Sequence, residues 1–141
     1  IAVFGEKDLQ QLLIIKKMVA DLSLPIDIQS GPTQRAEDGL ALSSRNQYLS
    51  VSERAVASLL WQTLQSCGAA LTATPGCPPA SIIDPAREAL QQAGFTVDYL
   101  ELRELSTLRL VDNVDQDCAL FVAARLGDTR LIDNIQLAAS S

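Results

Sequence analysis

Apolar and polar positions along the chain first predict a strand, a helix and a second strand. Residues 1–4 are apolar and end at Gly5, and apolar residues then recur at three- and four-residue steps over residues 7–22. The run is typical of a buried strand, and the spacing indicates a helix with one core-facing stripe. Residues 24–28 favour a second strand that ends at Gly31-Pro32. We therefore predict a right-handed βαβ unit at the start of the chain.

The pattern then changes to helices followed by strands. Apolar spacing indicates helices over residues 51–73 and 80–93, and the proline-rich segment between them cannot continue a helix. Further along, Gly127-Asp128 favours a turn between the two strands of a hairpin. The strands are predicted at residues 96–103, 118–126 and 129–137. We expect a small α+β domain, with helices on a short antiparallel sheet, to begin near residue 33.

Composition and charge exclude several classes of protein. Hydrophobic residues make up 48% of the 141-residue chain and charged residues 20%, which indicates a folded domain with a substantial core. The net charge of −6 argues against nucleic-acid binding, which calls for a basic surface. The sequence has neither an apolar run of about 18 residues nor a basic leader region, so we expect a cytoplasmic protein that binds no membrane.

Three cysteines and the absence of histidine narrow the chemistry. Cys67, Cys77 and Cys118 are widely spaced, which indicates reduced thiols rather than zinc ligands or a disulfide framework. Without histidine, a Ser-His nucleophile is excluded. The chain also opens without methionine, inside a predicted buried strand, so we expect it to be a fragment of a longer protein.

The first candidate site is the turn after the first strand, Gly5-Glu6-Lys7-Asp8. In α/β proteins this turn lies at the carboxyl edge of the sheet, where ligands bind. Glycine permits close approach, the following helix N-terminus favours anions, and Lys7 adds a positive charge. Asp8 either accepts hydrogen bonds from a sugar or complements the helix dipole, and the dipole alternative is the stronger. Gln11 is either a ligand or a solvated helix residue.

The second candidate site lies in residues 38–50, where Ser43, Ser44 and Arg45 follow a glycine. Hydroxyls, backbone N–H groups and a guanidinium are the donors that an oligophosphate needs. The alternative is an ordinary polar loop that ends in a helix cap, because Ser50 and Glu53 have the spacing of a capping box. The two candidate sites lie on opposite sides of residue 33, so a ligand bridging the two segments would explain both.

Two further patterns have plain structural explanations. Trp61 lies within an apolar helical stripe, which favours a packing role over stacking on a nucleotide base. Asp112, Asp115 and Asp117 lack the glycine and the terminal glutamate of an EF-hand, which favours a solvated acidic loop over a calcium site.

Three segments together resemble the pantoate–β-alanine ligase family: residues 4–11, residues 38–49 and the hairpin of residues 123–134. The resemblance covers essentially the whole chain. It implies a cytoplasmic enzyme of coenzyme A biosynthesis that uses ATP and Mg²⁺ to join pantoate to β-alanine. In that family pantoate is first converted to pantoyl adenylate with release of pyrophosphate, and β-alanine then displaces AMP.

The resemblance also implies roles for individual residues. The turn Gly5-Glu6-Lys7-Asp8 would bind ATP, with Gly5 and Asp8 at the ribose and Lys7 at the phosphates. Gln11 would hydrogen-bond pantoate, and Gln34 would offer backbone groups to adenine, although the family commonly has an aliphatic residue there. Residues Leu42, Ser43, Ser44 and Arg45 would form a phosphate loop. Lys7, Ser43, Ser44 and Arg45 would be the catalytic residues.

The resemblance further implies that this chain is the C-terminal portion of the enzyme. Residues 1–33 would close a truncated, Rossmann-like nucleotidyltransferase domain that binds ATP and pantoate, and residues 34–141 would form an α+β lid. The family's histidine motif is absent, and its Mg²⁺ ligands are expected in the missing half, so no metal ligand is assigned here. The fragment alone is expected to have little or no activity; it could remain monomeric, whereas the parent enzyme is expected to form a homodimer. The alternatives are a nucleotidylyltransferase of the same superfamily and a non-catalytic nucleotide-binding domain.

Overall fold

The structure, a computed structural model, describes residues 2–74, 77–111, 114 and 117–137. Two residues of the predicted acidic loop, Asp112 and Asp115, lie outside this described part. The helices are α1 (Leu9–Asp21), α2 (Val51–Ala57), α3 (Leu59–Ala73) and α4 (Ala80–Gln92), and two 3₁₀ helices span Glu6–Asp8 and Ser44–Tyr48. The strands are β1 (Ala2–Gly5), β2 (Ile28–Gly31), β3 (Thr96–Glu104), β4 (Cys118–Leu126) and β5 (Thr129–Leu137).

The predicted βαβ unit forms, but its second strand is displaced. β1 and β2 pair in parallel, with Gly5 opposite Gly31. The strand predicted at residues 24–28 is wrong for residues 24–27, which connect the end of α1 to β2. The Leu24 N–H bonds to the Val19 carbonyl at 3.0 Å, and Pro25 has no N–H to offer a ladder. Pairing with β1 therefore begins only at Ile28.

The apolar stripe of α1 is covered only in its first part. Leu9 and Leu12 are buried and pack with Ala119 and Phe121 of β4. Further along the helix, Met18 is 47% exposed and Leu22 is 64% exposed, so the prediction that the whole stripe faces a core is wrong for this part of the helix. The helix also starts at Leu9 rather than at residue 7, because residues 6–8 form the 3₁₀ turn.

Residues after the βαβ unit form helices on an antiparallel sheet, as the pattern predicts. The strand order is β3-β4-β5, and the β4-β5 hairpin turns at Gly127, whose φ of +58° favours glycine. The main core lies between the helices and one face of this sheet, whereas α1 contacts the other face through Ala119 and Phe121. No helix in the described part of the chain is long and apolar enough to cross a membrane.

The helix predicted over residues 51–73 forms as two helices. Its start is confirmed, because Ser50 and Glu53 make both hydrogen bonds of a capping box. The helix is interrupted at Ser58, whose N–H bonds to the carbonyl of Val56 rather than to the carbonyl four residues earlier. Trp61 follows in α3 and packs against the main core, as predicted.

Candidate functional site

The first candidate site is a turn that carries α1 away from β1. Gly5 is extended, with φ −73° and ψ 142°, so its role does not depend on a backbone conformation that only glycine adopts. A Cβ atom at Gly5 would meet nothing within 4 Å. Glycine therefore leaves open the space beside the turn, which a side chain would otherwise occupy. The next residues, Glu6–Asp8, form the 3₁₀ helix that presents Lys7.

Lys7 is partly buried, and its electrostatic surroundings connect the two candidate sites. Burial lowers the pKa of Lys7 below its ordinary value of 10.5, because an ammonium group loses solvation there. The guanidinium groups of Arg45 and Arg35 lower this pKa further, whereas the carboxylates of Asp8 and Asp133 oppose the change. Arg45 thus acts on the charge of Lys7, although the two residues are 38 positions apart in the sequence.

Asn134 of β5 holds the Lys7 turn in place. Its side-chain amide donates to the carbonyl of Glu6 at 2.7 Å and to the carbonyl of Lys7 at 3.0 Å. The residue is only 7% exposed, so these hydrogen bonds are shielded from water. The β4-β5 hairpin and the turn after β1 are therefore joined by a side chain that sequence reasoning gave no role.

The neighbouring residue, Asp133, holds the second candidate loop. Its carboxylate accepts two hydrogen bonds from the Arg35 guanidinium, at 2.7 and 2.9 Å, and it is 4% exposed. Such a bidentate pair fixes both position and orientation. Sequence reasoning missed Asp133 and Asn134 as positioning residues. The available signal was a pair of adjacent polar residues between Ile132 and Ile135 in a predicted strand.

Arg35 also organises the loop between β2 and α2. Its guanidinium carbon lies 3.5 Å from the ring centroid of Trp61, and its NH1 donates to the carbonyl of Gly39 at 3.1 Å. Gly39 has a φ of +94°, and a Cβ there would lie 2.3 Å from Trp61 Cδ1. Both the backbone conformation and the close approach therefore require glycine at this position.

The predicted adenine and phosphate contacts lie at the base and tip of this loop. The Leu42 N–H donates to the Gln34 carbonyl at 2.8 Å, which brings these two residues together. Ser43 caps the next 3₁₀ helix, since its Oγ accepts from the Arg45 N–H at 3.2 Å. Ser44 and Arg45 are exposed and point away from the core. One predicted hydroxyl therefore shapes the loop, while the other is available to a ligand.

Lys7, Asp8 and Gln11 line one cavity between α1 and the sheet. Arg45 lines a neighbouring cavity beside the β4-β5 turn. Ser43 and Ser44 line neither of these two cavities. The structure thus brings the Lys7 turn and the Arg45 loop to the same end of β5, and it leaves the serines at the edge of this region.

Comparisons with known proteins agree with the resemblance. The family model described as Pantoate-beta-alanine ligase matches residues 1–136. The chain is 52% identical over 135 residues to a pantothenate synthetase of Ectopseudomonas mendocina, and 50% identical over 137 residues to one of Pseudomonas aeruginosa. These alignments cover 96% and 97% of the chain but only 47% and 48% of the relatives. The chain therefore spans about half the length of the curated relatives it matches.

Solved structures lead to the same family. The crystal structure of pantothenate synthetase from Thermus thermophilus superposes with a TM-score of 0.86 at 40% identity, covering 97% of this chain and 49% of that one. A pantoate–β-alanine ligase from Francisella tularensis, complexed with beta-gamma ATP and β-alanine, gives a TM-score of 0.68 at 28% identity, covering 95% and 42%. Sequence and fold agree over nearly the whole chain, and on that basis the chain belongs to the pantoate–β-alanine ligase family.

Proposed function

We propose that this chain supplies the phosphate-binding part of an AMP-forming ligase that joins pantoate to β-alanine. The observation that carries the proposal is that Lys7 and Arg45, two cationic residues from separate segments, line two cavities that share Arg130 of β5. Asn134 and the Arg35–Asp133 pair hold these segments there. Family membership supports ATP as the source of the phosphates that these cations would bind.

In the first step, a pantoate carboxylate oxygen attacks the α-phosphorus of ATP, and the bond to the bridging oxygen of pyrophosphate breaks. Negative charge then grows on the departing phosphates, and Lys7 and Arg45 would stabilise it electrostatically. Ser44 would donate a hydrogen bond to the phosphates, Asp8 would accept one from a ribose hydroxyl, and Gln11 would orient pantoate. Positioning, rather than a covalent nucleophile, would supply most of the catalysis.

In the second step, the β-alanine amine attacks the acyl carbon of pantoyl adenylate and AMP leaves. Within the described part of the chain, no three metal-ligating side chains come together, so we derive no step through Mg²⁺ from these residues. We propose that the metal ligands and the remaining substrate contacts belong to the other half of the enzyme. The cytoplasmic location and the homodimer stay predictions.

We further propose that residues 1–33 close a Rossmann-like nucleotide-binding domain and that residues 34–141 form its lid. The parallel pairing of β1 with β2 around α1 supports the first part. The exposed apolar residues at the end of α1 also support it, because the helices of a doubly wound fold pack their apolar faces against the sheet. The boundary proposed at residue 33 divides the chain in sequence only, because α1 on one side of it packs against β4 on the other.

A complementation experiment tests the proposed function. The chain would be joined to the N-terminal half of the Pseudomonas aeruginosa relative, and ATP-dependent formation of pantothenate would be measured. We expect activity in the joined protein and none in the chain alone. In the joined protein, Lys7→Ala should lower kcat by about 100-fold or more, whereas Arg109→Ala, at an exposed residue that lines neither cavity, should leave it unchanged. A folded but inactive joined protein would contradict the proposal.

A further inference from the structure

Arg130 of β5 lies where the two cavities meet. It lines the cavity that contains Lys7, Asp8 and Gln11, and it also lines the cavity that contains Arg45. A side chain in this place can contact a ligand that extends from one cavity to the other. Its residue type suits an anion, because a guanidinium offers several N–H donors in a planar fork.

The positive charge of Arg130 is only partly neutralised by its neighbours. Arg130 and Arg125 are directly opposite in the β4-β5 register, so two like charges face one another. Both contact the same oxygen of Asp98, with Nε to Oδ2 distances of 3.1 Å for Arg130 and 3.5 Å for Arg125. These three side chains carry a formal charge of +1. A phosphate bound at Arg130 would neutralise the positive charge that Asp98 leaves on the two arginines.

Carboxylates also line the two cavities, Asp8 and Asp133 in the first and Glu53 and Asp128 in the second. In the first cavity, Asp133 is already bound by Arg35. In the second, Glu53 accepts from the Ser50 N–H as part of the capping box. An extended anion would meet the cations Lys7, Arg45 and Arg130 beside these carboxylates, and Arg130 is the cation that lines both cavities.

We propose that Arg130 is a further substrate-binding residue, which contacts the β- or γ-phosphate of a nucleoside triphosphate lying across the two cavities. The inference rests on the proposed function, because it assigns the same triphosphate to a third cation. Without ligand, Asp98 would hold the Arg130 guanidinium, and with ligand the guanidinium would contact both Asp98 and the phosphate. The competing explanation is that Arg130 only ties β5 to β3 through Asp98.

Arg125 provides the matched control for this distinction. It shares the same Asp98 oxygen and is the cross-strand partner of Arg130, yet it lines neither cavity. Exposed ion pairs of this kind contribute little to stability. Removing either arginine should therefore leave the fold intact, and only the loss of Arg130 should change binding.

The experiment measures the affinity of the 141-residue chain and of the joined ligase for ATP, AMP and inorganic tripolyphosphate. Arg130→Gln should weaken binding of ATP and tripolyphosphate by about tenfold, whereas AMP should bind nearly as before. Arg125→Gln should leave all three affinities within about twofold. Arg130→Lys should restore part of the loss, since it returns the charge without the planar fork. Thermal unfolding of each variant reports whether the fold is retained.

Three results would overturn the proposal: equal effects of the two glutamine variants, an equal loss for ATP and AMP, or no loss with Arg130→Gln. If Lys7→Ala weakens ATP binding while Arg130→Gln does not, the inference on Arg130 fails and the proposed function stands. If neither wild-type protein binds ATP or tripolyphosphate, both fail together.

Discussion

Replacing Asn134 by alanine tests whether β5 positions the Lys7 turn. The substitution removes two partly buried hydrogen bonds, from Nδ2 to the carbonyls of Glu6 at 2.7 Å and of Lys7 at 3.0 Å. At about 1 kcal/mol net for each bond, the turn should lose about 2 kcal/mol of stabilisation. Each step of about 1.4 kcal/mol is a factor of ten, so local opening of the turn should become about 30-fold more frequent.

Hydrogen exchange at residues 6–8 measures this opening directly, because local unfolding exposes amides without unfolding the sheet. ATP affinity, measured in parallel, should fall because Lys7 is no longer held in one position. Gln91→Ala is the control, since Gln91 is an exposed amide side chain of α4, away from the turn. Unchanged exchange and unchanged ATP affinity in Asn134→Ala would refute the idea that this amide positions the turn.

Three other substitutions test separate parts of the site. Gly39→Ala should destabilise the chain by about 2 kcal/mol or more, because φ is +94° and a Cβ would lie 2.3 Å from the Trp61 ring; urea unfolding measures this, and Gly94→Ala, at φ +111° with open space, isolates the backbone part. Arg35→Ala should cost about 3 kcal/mol in the same assay, because it leaves a buried carboxylate without its partner. Adding Asp133→Asn should recover part of that loss, and a larger loss in the double variant would contradict the account. Burial lowers the pKa of Lys7 below 10.5, so ATP affinity should decline as pH rises through that lowered pKa, when the ammonium loses its charge. Lys7→Arg should move the decline to higher pH, and coincident pH profiles would exclude Lys7 as the titrating group.

Local hydrogen bonding explains why several elements could be predicted from the sequence. β4 and β5 occupy residues 118–126 and 129–137, as predicted, since Gly127-Asp128 turns the chain between two apolar runs. The capping box of Ser50 and Glu53 formed because both partners lie within one helical turn. In each case the interacting residues are neighbours in the sequence.

The displaced second strand shows the limit of this reasoning. Residues 24–28 have the apolar character of a strand, yet the backbone of Leu24 closes the end of α1. Which residues entered the sheet was decided by pairing with β1, a partner more than twenty residues away. The exposed residues Met18 and Leu22 show the same limit, because periodicity identifies an apolar stripe but not what covers it.

The sequence by itself determined which residue types carry the candidate chemistry, the order of helices and strands, and the family to which the chain belongs. Only the tertiary structure decided that Asn134 fixes the Lys7 turn, that Asp133 fixes Arg35, and that Arg130 lies between two cavities. The physical reason is distance along the chain. Contacts between residues 98 and 128 positions apart leave no periodic pattern, because they arise from packing of separate segments.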